Sequence, residues 1–361
     1  MIPYYIPTEP CFKSVCEQLA EVHKNGWYTN FGPMNNEFER CLGEYLGINY
    51  ILPISSCTVG LMVASKLLNV KKIIATSFSF VATVSSMKWV GVDILFADID
   101  VETKNICLKS VVELLESNKG CIDAIVATHV FGNPCDVEAL ETIGKNYGIS
   151  IIYDAAHAFG VRLAEQSVLN FGDISVVSFH ATKVFHSIEG GALILKNKEQ
   201  YERARELINF GVNRSAVITD VGINGKMSEY HAAVGLVQLK CVDDVIAHRA
   251  KLYARYAERL CRVVNLQKWH ALSSSNGAYF PIFFENMNQR DKAISHLEGK
   301  QIGYKRYFST NLNNSMFAVD GVFASPNSEH ACGTALCLPL YHRLTIEQVD
   351  IVSTTIVESF R

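Results

Sequence analysis

Several features are missing from this 361-residue sequence, and each absence removes a class of function. No Cys-x-x-Cys and no His-Glu-x-x-His occurs, so the common zinc-ligand spacings are lacking. The eleven cysteines lie scattered at positions 11, 16, 41, 57, 107, 121, 135, 241, 261, 332 and 337. An odd number at irregular spacing fits free thiols in a reducing cytosol, most of them packed as small apolar residues. No apolar run approaches the roughly 20 residues that span a bilayer. The greasiest stretch, residues 73–97, is broken by Thr76, Ser77, Ser79, Ser85, Ser86, Lys88 and Asp93. Lysine plus arginine (33) nearly balances aspartate plus glutamate (36), and neither sign forms a block, so the basic stripe of a nucleic-acid binder is absent. Met1-Ile2-Pro3-Tyr4-Tyr5 lacks the basic start of an export signal. The expectation is a cytoplasmic protein with no membrane and no nucleic-acid partner.

What is present suits a large globular protein. The 49% hydrophobic content can fill a core, and the length exceeds what a single core of roughly 250–300 residues holds. Helical patterns alternate with short apolar strands, which predicts an α/β fold around a mainly parallel sheet. Phe38, Cys41, Leu42, Tyr45 and Leu46 recur at helical spacing before Gly47. A βαβ unit follows from a strand over 124–128, Asp136 as N-cap, Val137, Leu140, Ile143 and Tyr147 on one face, Gly148 as stop, and a strand over 151–153. Further strands are expected at 73–75, 93–97, 174–179, 192–195 and 277–284, and a helix at 289–297. One long helix is read from Ser228 to about Leu260. The domain change is placed inside it, giving a domain over 1–240 and a smaller one over 241–361.

In parallel α/β sheets ligands bind beyond the carboxyl ends of the strands, so polar residues that follow strands are the ones to inspect. Ser55-Ser56-Cys57-Thr58 precedes a helical run over 59–68. Hydroxyls and free amides at a helix start suit a phosphate, or simply cap the helix. Asp154 ends an apolar strand, where a carboxylate needs a cation or several donors, unless it too is an N-cap. Lys183 follows Ser178-Phe179-His180-Ala181-Thr182 in a loop leaving another apolar strand. It is either a surface residue or a partly desolvated, nucleophilic amine. An amine for a Schiff base, a carboxylate for a protonated ring nitrogen and a phosphate-binding helix start are together what a protein supplies to pyridoxal 5'-phosphate.

Longer motifs carry a resemblance over nearly the whole chain. They are Tyr-Asp-Ala-Ala-His-Ala-Phe-Gly (153–160), Ser-Phe-His-Ala-Thr-Lys-Val-Phe (178–185) and Glu-Gly-Gly-Ala (189–192), with Gly-Trp-Tyr-Thr-Asn-Phe-Gly-Pro (26–33), Ser-Phe-Val-Ala-Thr (79–83) and Gly-Ile-Asn-Gly-Lys-Met-Ser-Glu (222–229). In these the sequence resembles the DegT/DnrJ/StrS family of sugar aminotransferases. The resemblance implies a fold-type-I, aspartate-aminotransferase-like architecture with a seven-stranded sheet, acting as a homodimer with shared sites. It also implies a nucleotide-sugar substrate and L-glutamate as amino donor. By motif, Lys183 would form the Schiff base and carry protons, and Asp154 would hold the pyridine nitrogen. His157, often Gln in relatives, would sit beside the cofactor 3'-oxygen. Ser178 and Thr58, with the backbone of Cys57, would bind the phosphate.

Phe80 would lie over the ring, or serve as a core aromatic. Asn224 and Lys226 would reach the phosphate of the neighbouring subunit's cofactor. Cys57 replaces the commoner Gly of the phosphate turn, and residues 304–308 lack the family's His-Tyr-x-Pro pattern. Within the family the likeness is greatest to transaminases that make dTDP-4-amino-4,6-dideoxy-D-glucose, a building block of lipopolysaccharide O-antigens. Alternatives are C3-keto or UDP- and GDP-linked acceptors, and, from a different class, a non-catalytic regulator that binds the cofactor. A dehydratase of the same family would carry histidine where Lys183 stands.

Overall fold

The computed structural model describes residues 1–317 and 323–361. Seven strands form the central sheet: β1 (Ile51–Ile54), β2 (Lys72–Thr76), β3 (Asp93–Ala97), β4 (Ala124–Thr128), β5 (Ser150–Asp154), β8 (Ile174–Ser178) and β9 (Gly191–Leu195). Their order is β1-β9-β8-β5-β4-β2-β3, with β9 antiparallel to both neighbours and the rest running one way. A small hairpin, β6 (Arg162–Leu163) and β7 (Gln166–Ser167), sits apart. The strands read as unbroken apolar runs because both faces are covered. Ile74, Ile125, Ile151 and Tyr153 pack with Phe38, Leu114 and Leu140 on one face. Their neighbours Ile73, Ala124, Val126 and Ile152 pack with Leu61, Val84 and Leu207 on the other.

A second, three-stranded antiparallel sheet joins β10 (Asn265–Leu266), β11 (Phe280–Phe283) and β12 (Ala335–Leu338). Its own core includes Leu252, Tyr256, Phe280, Leu336 and Val352, and it takes in Ile2 from the chain's start.

The predicted βαβ unit is present with its caps: the Asp136 side chain accepts from the Ala139 amide, and Gly148 ends the helix Val137–Tyr147 in the left-handed region. Gly47 closes Pro33–Leu46 in the same way. The start of Pro33–Leu46 is capped from a distance. Gly32 offers no side chain, and the buried Glu229 carboxylate accepts from the amides of Met34 and Asn35 at 2.7 and 3.0 Å.

Three expectations change. The helix read over 228–260 is two, Glu229–Leu239 and Val242–Leu260, because Cys241 leaves helical geometry (φ −120°, ψ 4°). Strand β1 was not anticipated, and the helix after it starts at Cys57, two residues early. The cysteines are less buried than expected. Only Cys135, Cys332 and Cys337 are fully enclosed, while Cys11, Cys16, Cys121 and Cys261 are exposed and the rest intermediate. Among the described residues no helix is long and apolar enough to cross a membrane.

Candidate active site

The parallel strands deliver their carboxyl ends to one edge of the sheet, and a cavity of about 300 Å³ opens there. Its wall on the sheet side holds Ser56, Cys57, Thr58, Ser79, Thr128, Asp154, His157, Ser178, Lys183 and Gly190. Strands β5 and β8 are paired neighbours, so Asp154 and the Lys183 loop emerge side by side. Seven of the nine residues singled out in the sequence therefore meet: Cys57, Thr58, Phe80, Asp154, His157, Ser178 and Lys183.

The helix Cys57–Leu67 points its amino end at the cavity. The Ser56 side chain caps it by accepting from the Val59 amide at 3.2 Å, so the bland reading of this turn holds as well. The first-turn amides of Cys57 and Thr58 have no acceptor within the helix and present the positive end of its dipole. A close approach makes this possible: a Cβ on Gly191, where β9 begins, would lie 2.8 Å from the Cys57 nitrogen and 2.7 Å from the Val177 carbonyl oxygen.

Asp154 is no N-cap. It is 5% exposed at the strand end, where Oδ2 accepts from Thr83 Oγ1 at 2.5 Å and Oδ1 from the Ala156 amide at 3.1 Å. Burial pushes its pKa up, while the Thr83 hydroxyl, the Ala156 amide and Lys183 pull the other way. Behind Thr83 stand two further buried hydroxyls, Ser79 and Thr128, to which the sequence reading gave no role.

Lys183 belongs to the cavity wall, so the surface-residue reading fails. Burial lowers its pKa, opposed by Cys57, Asp154 and Tyr307. Its loop is held firmly. Phe179 and Phe185 are buried against Phe38 and Phe159, and Tyr5 donates its hydroxyl to the Ala181 carbonyl at 2.9 Å. Ser178 Oγ accepts from the His180 amide at 3.4 Å.

His157 is buried with Nδ1 lacking a partner, and burial followed by the charge of Lys183 drives its pKa well below the ordinary value. Its ring lies parallel to Phe131 and Phe308. Phe80 is 50% exposed at the mouth, which excludes the core-aromatic reading.

The facing wall comes from the C-terminal part of the chain and is aromatic: Tyr279, Tyr307 and Phe308. Tyr307 and Phe308 lie in the segment 304–308 that the resemblance sets near the sugar nucleotide, though neither was given a role, and Tyr279 was not anticipated because it meets the site only through the fold.

Asn224 and Lys226 do not line this cavity. Asn224 bridges to Asn209, and Lys226 lies beside β1, bridging to Ile54. The Lys226 ammonium is buried without a hydrogen-bond partner, 4.4 Å over the Phe210 ring, and burial lowers its pKa.

Comparison with known proteins gives the family and the fold. The family model described as the DegT/DnrJ/EryC1/StrS aminotransferase family matches residues 12–357. A dTDP-4-amino-4,6-dideoxy-D-glucose transaminase of Shigella dysenteriae is 36% identical over 98% of this chain and 97% of its own. One of the same description from Escherichia coli is 33% identical over 96% of each. Among solved structures, DesI in the presence of its TDP-sugar product superposes with a TM-score of 0.93 at 26% identity, covering 100% of this chain and 94% of its own. The aminotransferase TlmJ of Streptoalloteichus hindustanus gives 0.91 at 26% identity, with coverage of 100% and 99%.

Proposed function

This chain is a member of the DegT/DnrJ/EryC1/StrS aminotransferase family, and from that premise we propose that it moves an amino group from L-glutamate to dTDP-4-keto-6-deoxy-D-glucose, giving dTDP-4-amino-4,6-dideoxy-D-glucose for a surface polysaccharide. Pyridoxal 5'-phosphate is the proposed cofactor, and the cytoplasm, where nucleotide sugars are made, the proposed location. The observation that carries the reading is that Lys183, Asp154 and the amides of Cys57 and Thr58 share one cavity.

The donor set fits this cofactor. Asp154 uses one lone pair on each oxygen within the protein and has acceptor capacity left for a ring N–H. His157 has an orphaned Nδ1 for a ring substituent, and the helix start at Cys57 suits a dianion. When bound, the cofactor supplies an aldehyde that condenses with amines and a ring that takes up electrons.

The protein's tasks follow. The Lys183 amine, kept below its ordinary pKa by burial, would hold the cofactor through its aldehyde carbon, with the aldehyde oxygen leaving as water, and would carry a proton at Nζ. Asp154 would hold a proton on the ring nitrogen. The Cys57 and Thr58 amides and the Ser178 hydroxyl would hold the phosphate, and Phe80 would cover the ring at the mouth. Tyr279 and Tyr307 would face the sugar. We read residues 1–240 as the cofactor domain and 241–361 as the second domain, a division supported by the helix break at Cys241.

A homodimer completes the reading, with Asn224 and Lys226 of each copy serving the other's phosphate site. The exposed apolar side chains Phe210, Val217, Ile218 and Val221, next to that motif, support burial against a second copy.

The test is a product assay. Purified protein is given glutamate and, separately, dTDP-, UDP- and GDP-linked 3-keto and 4-keto sugars, with products identified by mass spectrometry and NMR. Amination of the dTDP-4-keto sugar is expected. A preference for a C3-keto or a UDP- or GDP-linked acceptor would replace the substrate, and cofactor binding without any amino transfer would favour the regulator.

A further inference from the structure

The geometry points to Thr83, Ser79 and Thr128 as a directed chain of hydroxyls that positions Asp154 and holds it ionised inside the protein. This rests on the reading of the cavity as a pyridoxal phosphate site. Thr83 Oγ1 lies 2.5 Å from Asp154 Oδ2, Ser79 Oγ 2.8 Å from Thr83 Oγ1, and Thr128 Oγ1 2.9 Å from Ser79 Oγ. All four side chains are enclosed, at 0% exposure for Thr83, 2% for Ser79, 3% for Thr128 and 5% for Asp154.

The direction of the chain is forced by counting hydrogens. A hydroxyl carries one, and an ionised carboxylate only accepts. Thr83 therefore spends its hydrogen on Asp154. Ser79 must then donate to Thr83, and Thr128 to Ser79. Three O–H dipoles point head to tail at one oxygen, and each polarises the next.

Three separate stretches of chain build it. Ser79 and Thr83 flank the start of the helix Val81–Trp89, Thr128 ends β4, and Asp154 ends β5. Ser79 and Thr83 also bond each other across one helical turn, so the helix start sets their spacing. A buried carboxylate is normally pushed towards its neutral form, in which it could not pair with a charged ring nitrogen. The Thr83 hydroxyl counters that push at Oδ2, as do the Ala156 amide and Lys183, and Ser79 and Thr128, which reach the cavity wall, complete the chain that orients it.

The test compares Thr83→Val, which keeps the shape and removes the hydroxyl, with Thr83→Ser, which keeps the hydroxyl, and with Ser79→Ala. The readout is the dissociation constant of pyridoxal 5'-phosphate against pH, followed by visible absorption, with amino transfer measured separately. The titratable groups facing Asp154 are Lys183, Cys57 and His157, and all are unchanged in these variants.

In Thr83→Val the acid limb of cofactor affinity is expected to move up by about one pH unit, roughly a tenfold weakening at a fixed pH on that limb. Thr83→Ser should stay within about 0.3 unit of the parent, and Ser79→Ala should shift the same way by about half as much as Thr83→Val. An unmoved limb in Thr83→Val, or equal shifts in Thr83→Val and Thr83→Ser, would overturn the proposal, the second by assigning the effect to packing. If Thr83→Val does not fold, Ser79→Ala decides alone: a shift upward supports the chain and none refutes it. Failure of the parent protein to bind the cofactor would be a different result, sinking the reading of the cavity itself.

Discussion

The two walls of the cavity are built on opposite principles. The sheet wall is polar, with Ser79, Thr128, Asp154, His157 and Ser178 buried, and three of these sit at strand ends whose register leaves them little freedom: Asp154 opposite Thr128 across the β4–β5 pair, Ser178 opposite Gly191 across β8–β9. The facing wall is aromatic, contributed by Tyr279 and by the segment carrying Tyr307 and Phe308, and its rings pack edge-to-face on one another, with Tyr279 and Tyr307 centroids 5.7 Å apart at 89°. Groups that must share a proton need fixed distances, which a hydrogen-bonded sheet supplies. Groups that must admit one sugar and refuse another need shape, which stacked rings supply. On the proposed function this division assigns chemistry to one wall and selectivity to the other, and variants in each wall test whether the two separate.

The sharpest break is Lys183→Ala. Losing both the amine that binds the cofactor and the group that carries the proton should lower amino transfer by at least about 10³-fold. The half-reaction with glutamate, followed by visible absorption, measures it. Full activity in this variant would move the chemistry off the sheet wall altogether.

Acid should damage the sheet wall from behind, and the aromatic wall much less. His129 follows β4, is fully buried, stacks on Tyr153 at 4.5 Å, and accepts from the Cys135 amide through Nδ1. Burial lowers its pKa to about 3, against an ordinary value near 6.5. The unfolded chain therefore binds the extra proton first. The stability tied to neutral His129 is complete above pH 6.5 and is lost as pH falls from there towards 3. By pH 4.5 the loss is about 2–3 kcal/mol. Chemical denaturation at pH 7.5 and 4.5 measures it, and His129→Gln should show a smaller drop between the two. An equal drop would place the acid sensitivity elsewhere.

On the facing wall, Tyr307→Ala should cut kcat/KM for the nucleotide sugar by roughly 10–100-fold while leaving the glutamate half-reaction within about threefold. A matching fall in both would mean that the ring supports the chemistry and that the walls are not separate.

The same contrast decides what could be read from the sequence. Asp154 was legible because it ends an apolar run, Lys183 because its loop leaves one, and the Cys57-Thr58 turn because its hydroxyls precede a helical run, so the chemistry is written near the element that positions it. The unit from β4 to β5 was legible for a similar reason, as Asp136 and Gly148 mark its helix locally. The Thr128–Ser79–Thr83 chain was not, nor was the joining of Tyr279 to the segment 304–308 in one wall, since their members are brought together by sheet order and by the docking of the C-terminal segments on the cavity. The helix break at Cys241 has no glycine or proline to announce it. What surrounds it is tertiary: Gln238, three residues before, donates to the Thr8 carbonyl and contacts His186. Strand β1 is only four residues long and carries Pro53, which argues against a strand when taken alone. Lys226 was singled out by motif, and in this chain its ammonium meets only the Phe210 ring, without a hydrogen-bond partner.

Phe80 stands on the seam between the walls. It belongs to the sheet side by sequence, at the N-cap of Val81–Trp89, yet its ring meets Tyr307 edge-on at 6.4 Å and 87°. Half its surface is open, so removing it should cost the fold little and the cofactor's cover more. Phe80→Ala is expected to weaken retention of pyridoxal 5'-phosphate by about 3–10-fold, with thermal stability nearly unchanged. A double-mutant cycle with Tyr307→Ala then asks whether the walls touch energetically as well as geometrically. A coupling of about 0.5–1 kcal/mol in sugar affinity would match an aromatic pair of this geometry. Strict additivity would mean that the two rings are merely neighbours, and that the chemistry of the sheet wall could be transplanted under a different aromatic wall without loss.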